Sequence, residues 1–109
     1  MPVYGRAAPG RARCTIAAVI EHVAFEFERD VADIMSNSRI RPLAWARYAI
    51  AWLARRHSGE TLAAIGLAMG GRDHSTVSHE IERANALLDA DDWFRTLLFR
   101  VDRMLVAIA

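Results

Sequence analysis

The sequence predicts an all-α protein, a small helical bundle that contains a helix-turn-helix. Apolar residues recur at three- and four-residue spacing through most of the chain, as in helices with one buried face. Short stretches rich in glycine, proline or small polar residues separate these segments. The pair Gly70-Gly71 lies between two helical segments, where a helix-turn-helix has its tight turn.

Length and composition indicate one folded domain. The chain has 109 residues, 53% hydrophobic and 25% charged, with a formal net charge of +1. This charge does not by itself indicate nucleic-acid binding, so any basic surface must come from segregation of the 14 basic residues, all arginine. The single cysteine, the absence of an apolar leader at the start and the short apolar runs predict a cytoplasmic protein without a membrane partner.

Residues 1–14 are predicted to form a flexible basic arm, followed by the folded domain at 15–109. The arm contains two prolines, two glycines and three arginines. Such arms can reach along DNA, but they are more often plain disordered termini, and the sequence leaves both interpretations open.

Caps and breakers set the helices outside the motif. Thr15 caps a first helix over 16–27, and a short helix covers 31–35. Pro42 begins a central helix that ends near His57, before Gly59. Asp91 and Asp92 start a last helix that ends near residue 108. The predicted inward-facing residues are Ile16, Val19, Ile20, Val23 and Phe27 in the first helix, Ala46, Ala49, Ile50 and Leu53 in the central one, and Leu97, Val101, Met104, Leu105 and Ile108 in the last.

The helix-turn-helix is predicted over 61–88. Gly70 ends its first helix, over 61–69, and Asp73 caps its second, over 75–88. The start of the second helix is the part of the motif that enters the DNA major groove. The predicted buried residues are Leu62, Ile65, Met69, Val77, Ile81, Ala84 and Leu88, and the opposite face carries Thr76, Glu80 and Arg83.

The run Gly71-Arg72-Asp73-His74-Ser75-Thr76-Val77 resembles the signature Gly-Arg-Asp-His-Thr-Thr-Val of domain IV, the C-terminal DNA-binding domain of the bacterial replication initiator DnaA. Ser36-Asn37-Ser38-Arg39, the helix that carries Arg47, and Leu62-Ala63-Ala64-Ile65-Gly66 occupy similar registers, and the resemblance extends over about 19–88. It implies a Trp-repressor-like bundle that binds double-stranded DNA at DnaA-box-like sites, on the nucleoid, and influences chromosomal replication initiation or its regulation.

The resemblance also implies roles for individual residues. Arg39 is expected to reach a minor groove, where narrow A·T tracts attract arginine. Arg47 and Arg72 are expected to hold phosphates. From the residues alone, Arg39 and Arg47 could instead pair with surface carboxylates. The complete expected DNA-binding set is Arg39, Arg47, Arg72, Asp73, His74, Ser75, Thr76 and His79.

Three positions depart from the family pattern. Ser75 replaces a threonine, Tyr48 replaces a polar amide, and Glu80 replaces a small apolar residue. Glu80 is expected to face the groove, where a carboxylate opposes phosphate binding, and Glu82 adds negative charge. The alternative is therefore a protein-interaction module of the same fold, whose DNA face is degraded and which regulates replication proteins by binding them.

Enzyme chemistry is not expected, nor is a cofactor or a metal. Asp73, His74 and Ser75 are consecutive, whereas a catalytic triad converges from separate segments. His74 and His79 do not share a helix face, and the sequence has no glycine-rich phosphate-binding loop. The length leaves no room for the ATPase module of the full initiator, so we expect a stand-alone relative.

Overall fold

The computed structural model describes residues 14–108, and within that range it contains six α-helices and no strand. This confirms the predicted fold class. The helices are α1 (Ile16–Phe27), α2 (Val31–Ile34), α3 (Arg41–His57), α4 (Leu62–Ala68), α5 (His74–Ala90) and α6 (Asp92–Ile108). Residues 61–88 thus form the predicted helix-turn-helix, with α4 as its first helix and α5 as its second.

Side-chain caps set where four helices begin. The Thr15 hydroxyl accepts a hydrogen bond from Ala18 N at 3.0 Å, and the Thr61 hydroxyl accepts one from Ala64 N at 3.1 Å. Asp73 caps α5, and the Asp91 carboxylate accepts a hydrogen bond from Phe94 N at 2.8 Å at the start of α6. Because these caps are readable in the sequence, the observed helix bounds agree with the predicted ones to within two residues.

Helix α3 is the centre of the bundle and packs against all five other helices. Its predicted stripe, Ala46, Ala49, Ile50 and Leu53, is completely buried. The small alanines let neighbouring helices approach α3 closely, and the larger side chains fill the space between them. The Trp52 indole also donates a hydrogen bond to the Asn85 amide oxygen at 2.9 Å, which joins α3 to α5.

Of the predicted core residues, one is exposed, and the others are buried or, for Ile16, Leu62, Ile81, Leu88 and Met104, half-buried. Ile108 is 57% exposed, because the last turn of α6, from Val106 onward, lies outside the core. Ile81 is only half-buried, because Glu80 takes a place on the inner face of α5. Cys14, the last residue of the predicted arm, is buried against α6, where its thiol donates to the Leu105 carbonyl at 3.4 Å, so it belongs to the folded domain.

The rest of the predicted arm, residues 1–13, lies outside the described residues.

At the far end of α3, the His57 ring nitrogen Nε2 lies 2.6 Å from the Asp102 carboxylate, which joins α3 to α6. No helix in the range 14–108 combines the length and the hydropathy that a membrane-spanning segment needs.

Candidate nucleic-acid interface

The turn between α4 and α5 allows the backbone to come very close to Gly66. The Gly66 carbonyl accepts hydrogen bonds from Arg72 N at 2.8 Å and from Gly71 N at 3.1 Å. A Cβ atom on Gly66 would lie 1.9 Å from the Arg72 carbonyl oxygen, so only glycine fits there. Gly70 and Gly71 adopt φ of +87° and +84°, the left-handed region that glycine occupies without strain. The turn thus fixes the direction in which α5 leaves α4.

Asp73 acts as the cap of α5, and its carboxylate is largely committed to that role. Oδ1 accepts hydrogen bonds from Thr76 N at 2.9 Å and from the Ser75 hydroxyl at 2.8 Å. These bonds, the backbone one first, lower the pKa of Asp73. The side chains of His74, Ser75 and Thr76 are exposed around this cap, as predicted for a helix start that is presented to a groove.

The outward face of α5 continues from Ser75 through His79 and Glu82, which recur at helical spacing and are exposed. His79 lies one turn after Ser75, and its Nε2 is 3.3 Å from Nε of Arg83, the donor in that hydrogen bond. Arg83 is exposed and places a positive charge on this face. The negative charge on the outward face comes from Glu82.

Arg47 does not lie on the surface, contrary to the expectation that it holds a phosphate. The residue is only 7% exposed, and its guanidinium donates to three backbone carbonyls. These belong to Ile34 at 2.8 Å, Ser36 at 3.3 Å and Ser38. The fork faces inward because α3 places it beneath the segment that joins α2 to α3. Its partners are backbone carbonyls, not the surface carboxylates of the alternative interpretation.

Arg72 is also directed inward. Its guanidinium donates to the carbonyls of Ser36 at 2.8 Å, Met35 at 3.4 Å and Met69. The side chain is 14% exposed, and its Nε lies 3.9 Å from the Glu80 carboxylate. The guanidinium is thus bonded to backbone carbonyls and lies near Glu80, and it is not exposed for the phosphate contact that the resemblance implies.

Glu80 is the clearest correction to the sequence analysis. It was expected to face the groove, but it is 6% exposed and lies on the inner face of α5. Its Oε1 atom has no hydrogen-bond partner among the described residues. Burial raises the pKa of Glu80, while Arg72 and Arg47 act in the opposite direction with a smaller effect. The sequence did hold the signal, because Glu80 follows Val77 by three positions and precedes Ala84 by four.

Arg39 is exposed on the segment between α2 and α3. Within the range 14–108, no carboxylate lies within ion-pair distance of its guanidinium, which disfavours the alternative that Arg39 is paired on the surface. The segment that carries it lies against the turn before α5, because Arg72 in that turn binds the carbonyls of Met35 and Ser36. The segments that carry Arg39 and the start of α5 are therefore neighbours at the surface.

We call that surface the reading surface and define it by Arg39, His74, Ser75, Thr76 and His79. It combines one free cation with hydroxyl and imidazole groups that can donate or accept hydrogen bonds. No three histidine, cysteine, aspartate or glutamate side chains are grouped to hold a metal ion in residues 14–108.

Comparison with known proteins identifies the helix-turn-helix at the level of the family. The family model described as the bacterial DnaA protein helix-turn-helix matches residues 16–84. The chain is 34% identical over 91 residues to the chromosomal replication initiator protein DnaA of Ehrlichia ruminantium, covering 84% of this chain and 20% of that protein. It is 38% identical over 82 residues to the same protein of Caulobacter vibrioides, covering 75% and 17%. For Trichormus variabilis the identity is 35% over 77 residues, covering 71% and 17%. The chain spans about a fifth of the length of these relatives.

Proposed function

The chain belongs to the bacterial DnaA helix-turn-helix family, and from that premise we propose that it binds double-stranded DNA at DnaA-box-like sites. It would act on the nucleoid in the cytoplasm, without catalysis, and influence the initiation of chromosomal replication. The observation that carries this proposal is the reading surface. The turn at Gly70-Gly71, packed against a Gly66 that has no room for a side chain, presents the exposed start of α5 beside an exposed arginine from a second segment.

Base reading would come from the first turn of α5. In helix-turn-helix proteins this turn contacts base edges in the major groove. His74 and Ser75 offer groups that donate or accept, and Thr76 adds a methyl group that fits the methyl of thymine. Asp73 would contribute by fixing the helix start, because its Oδ1 is used by Thr76 N and the Ser75 hydroxyl. Arg39 would enter the adjacent minor groove, where A·T tracts concentrate negative potential.

Fewer phosphate contacts are expected than the family pattern implies. Arg47 and Arg72 are bound to backbone carbonyls, which leaves Arg39, from the edge of the minor groove, and Arg83, next to His79, as the exposed arginines that would neutralise phosphates. Each neutralised phosphate contributes about −0.9 to the slope of log affinity against log salt concentration. Two contacts predict a slope of about −2, whereas a set that also includes Arg47 and Arg72 predicts about −4.

The experiment is a selection of binding sites from random duplex DNA, followed by affinity measurements on the selected and a scrambled duplex at several salt concentrations. We expect one enriched motif, a preference for it over the scrambled duplex, and a slope near −2. Binding that is absent even at low salt would refute the proposed function. A slope near −4 would show that Arg47 and Arg72 leave their carbonyls when DNA binds.

A protein-interaction module remains the second candidate. Two observations favour it: Glu82 on the outward face of α5, and large apolar side chains on the surface, including Phe25 at 77% and Leu67 at 75% exposed. In that case the partner would be a protein of the replication machinery. The selection experiment separates the two candidates, because an interaction module would enrich no DNA motif.

A further inference from the structure

We propose that Arg47 is a positioning residue, which influences DNA binding only through the loop at residues 35–40 and through Arg39 on that loop. We call this segment the clamped loop. The inference rests on the proposed function, and it assigns Arg47 a role other than a phosphate contact. Four features of the structure support it. They are the hydrogen bonds of Arg47 to the loop, those of Arg72 to the same loop, the hydrogen-bonded backbone on either side of Arg39, and the planar fork of donors that a guanidinium group provides.

The three carbonyls that Arg47 binds cover the clamped loop and its entry. Nη1 donates to Ile34 O at 2.8 Å and to Ser36 O at 3.3 Å, and Nη2 donates to Ser38 O. If Arg47 turned outward to a phosphate, the buried Ile34 carbonyl and the partly buried Ser38 carbonyl would lose this donor. Loss of the donor is unfavourable because the cost of desolvation is then uncompensated. The hydrogen bonds to these carbonyls therefore favour the inward orientation of the Arg47 guanidinium over an outward one.

Arg72 holds the same loop through a second set of hydrogen bonds. Its Nη2 donates to Ser36 O at 2.8 Å, the carbonyl that Arg47 also binds, and its Nη1 lies 3.4 Å from Met35 O. Arg72 is the residue before Asp73, the cap of α5. The loop is thus tied both to the central helix α3, through Arg47, and to the start of α5, through Arg72.

Hydrogen bonds fix the backbone on both sides of Arg39, while its side chain remains exposed. The Ser38 carbonyl before it is bound by Arg47, and Ile40 N after it donates to the Ser38 hydroxyl at 3.4 Å. Ser38 N in turn donates to the Ser36 hydroxyl at 3.2 Å. The position of Arg39 relative to α5 is consequently set by bonds that run back to Arg47.

Only arginine can serve this purpose at position 47. The planar guanidinium has five N–H donors on a rigid fork, so it can bind several carbonyls at once. Lysine carries the same charge on a single ammonium group and reproduces a phosphate contact better than it reproduces the clamp. Replacement of Arg47 by lysine therefore separates a positioning role from a charge contact.

The first test compares Arg47→Lys with the wild type in a double-mutant cycle with Arg39→Ala, on the selected and scrambled duplexes. In the wild type, Arg39→Ala should weaken binding to the selected duplex by about tenfold. With Arg47→Lys present, the same change should weaken it by less than about twofold, because Arg39 is no longer held in place. Arg103→Lys, at an exposed arginine of α6, is the matched control.

The proposal is overturned if Arg47→Lys keeps the wild-type affinity and the effects of the two changes multiply. That result would mean that Arg47 acts by its charge, independently of Arg39. Ser38→Ala provides a second variant, since it removes the acceptor for Ile40 N without touching Arg47. It should also reduce the effect of Arg39→Ala, and an undiminished effect counts against the proposal.

The second test needs no DNA. Amide hydrogen exchange at residues 35–40 should quicken by at least about tenfold in Arg47→Lys, while the amides of α6 exchange as in the wild type. Unchanged exchange in the clamped loop would overturn the proposal. If the wild type bound no duplex, the proposed function would fail, and this measurement would still decide whether Arg47 holds the loop.

Discussion

Three charged residues illustrate how a buried position changes what a side chain does. Arg47, Arg72 and Glu80 each carry a formal charge, yet all three lie beneath the reading surface. The Glu80 carboxylate lies 3.9 Å from Arg72 Nε, a long ion pair, and one of its oxygens has no hydrogen-bond partner among the residues described. Burial of an incompletely bonded charge costs free energy that such a pair does not fully return.

Glu80 gives a prediction for the pH dependence of stability. Burial raises its pKa above the ordinary value of 4.5 in the folded protein, against the smaller opposite effect of Arg72 and Arg47. Protonation of Glu80 therefore stabilises the folded protein. This stabilisation is complete at pH values below the pKa that Glu80 has in the unfolded chain, and it is lost as pH rises through the pKa that Glu80 has in the folded protein. The glutamine in Glu80→Gln does not titrate, so the free energy of unfolding of this variant relative to wild type should increase as pH rises above the ordinary glutamate pKa.

Urea denaturation of both proteins at several pH values measures this difference. Glu82→Gln removes an exposed carboxylate from the same helix and controls for the loss of charge alone. A difference that shrinks as pH rises would mean that the two arginines outweigh burial. The pKa of Glu80 would then be lowered rather than raised.

At the scale of the helices, the sequence predicted the features that depend on neighbouring residues, namely the helix caps and the buried stripes. Thr15 and Asp73 cap the helices that the pattern assigned to them, and the stripe of α3 is buried as predicted. These features depend on residues near in sequence, so one chain suffices to find them.

Contacts between distant segments were not predictable in the same way. The carbonyls that bind Arg47 and Arg72 come from another segment, and a backbone acceptor leaves no mark in the sequence. The phosphate role that the resemblance implies for Arg47 and Arg72 therefore could not be checked against the sequence. Glu80 was misplaced for a different reason. The expectation placed Glu80 on the outward face with Thr76, four residues before it, and overlooked its three- and four-residue spacing to the buried Val77 and Ala84.

The turn between α4 and α5 can be tested at Gly66. Glycine to alanine inside a helix usually stabilises, by about 0.5–1 kcal/mol. Here the new Cβ would lie 1.9 Å from a backbone oxygen, which cannot move without opening the turn. Gly66→Ala should therefore lower the free energy of unfolding by about 1–3 kcal/mol, as overpacking does.

The matched variant is Gly71→Ala, because an added Cβ there meets no atom within 4 Å but the φ of +84° is still unfavourable. It should cost about 1 kcal/mol, the strain of a non-glycine residue in the left-handed region. Urea denaturation compares the two. A Gly66→Ala protein as stable as wild type would show that the turn is looser than described.

In the molecule as a whole, the buried residues that hold the clamped loop are different from the exposed residues of the reading surface. Helix α3 packs against every other helix, and from it Arg47 reaches the clamped loop. The turn before α5 reaches the same loop through Arg72. The exposed groups of the reading surface are thus supported by buried ones. One of these exposed groups is the positive charge of Arg39, in a chain with a net charge of only +1.

The central claim is that the start of α5 reads bases, and Thr76→Ala tests it most directly. The measurement is the ratio of affinities for the selected and the scrambled duplex, in wild type, in Thr76→Ala and in Thr96→Ala, an exposed threonine of α6 that serves as the control. A good base contact is worth about 1–3 kcal/mol of discrimination, so Thr76→Ala should reduce the ratio by at least about fivefold. Thr96→Ala should leave it unchanged. An equal ratio in wild type and Thr76→Ala would contradict the account.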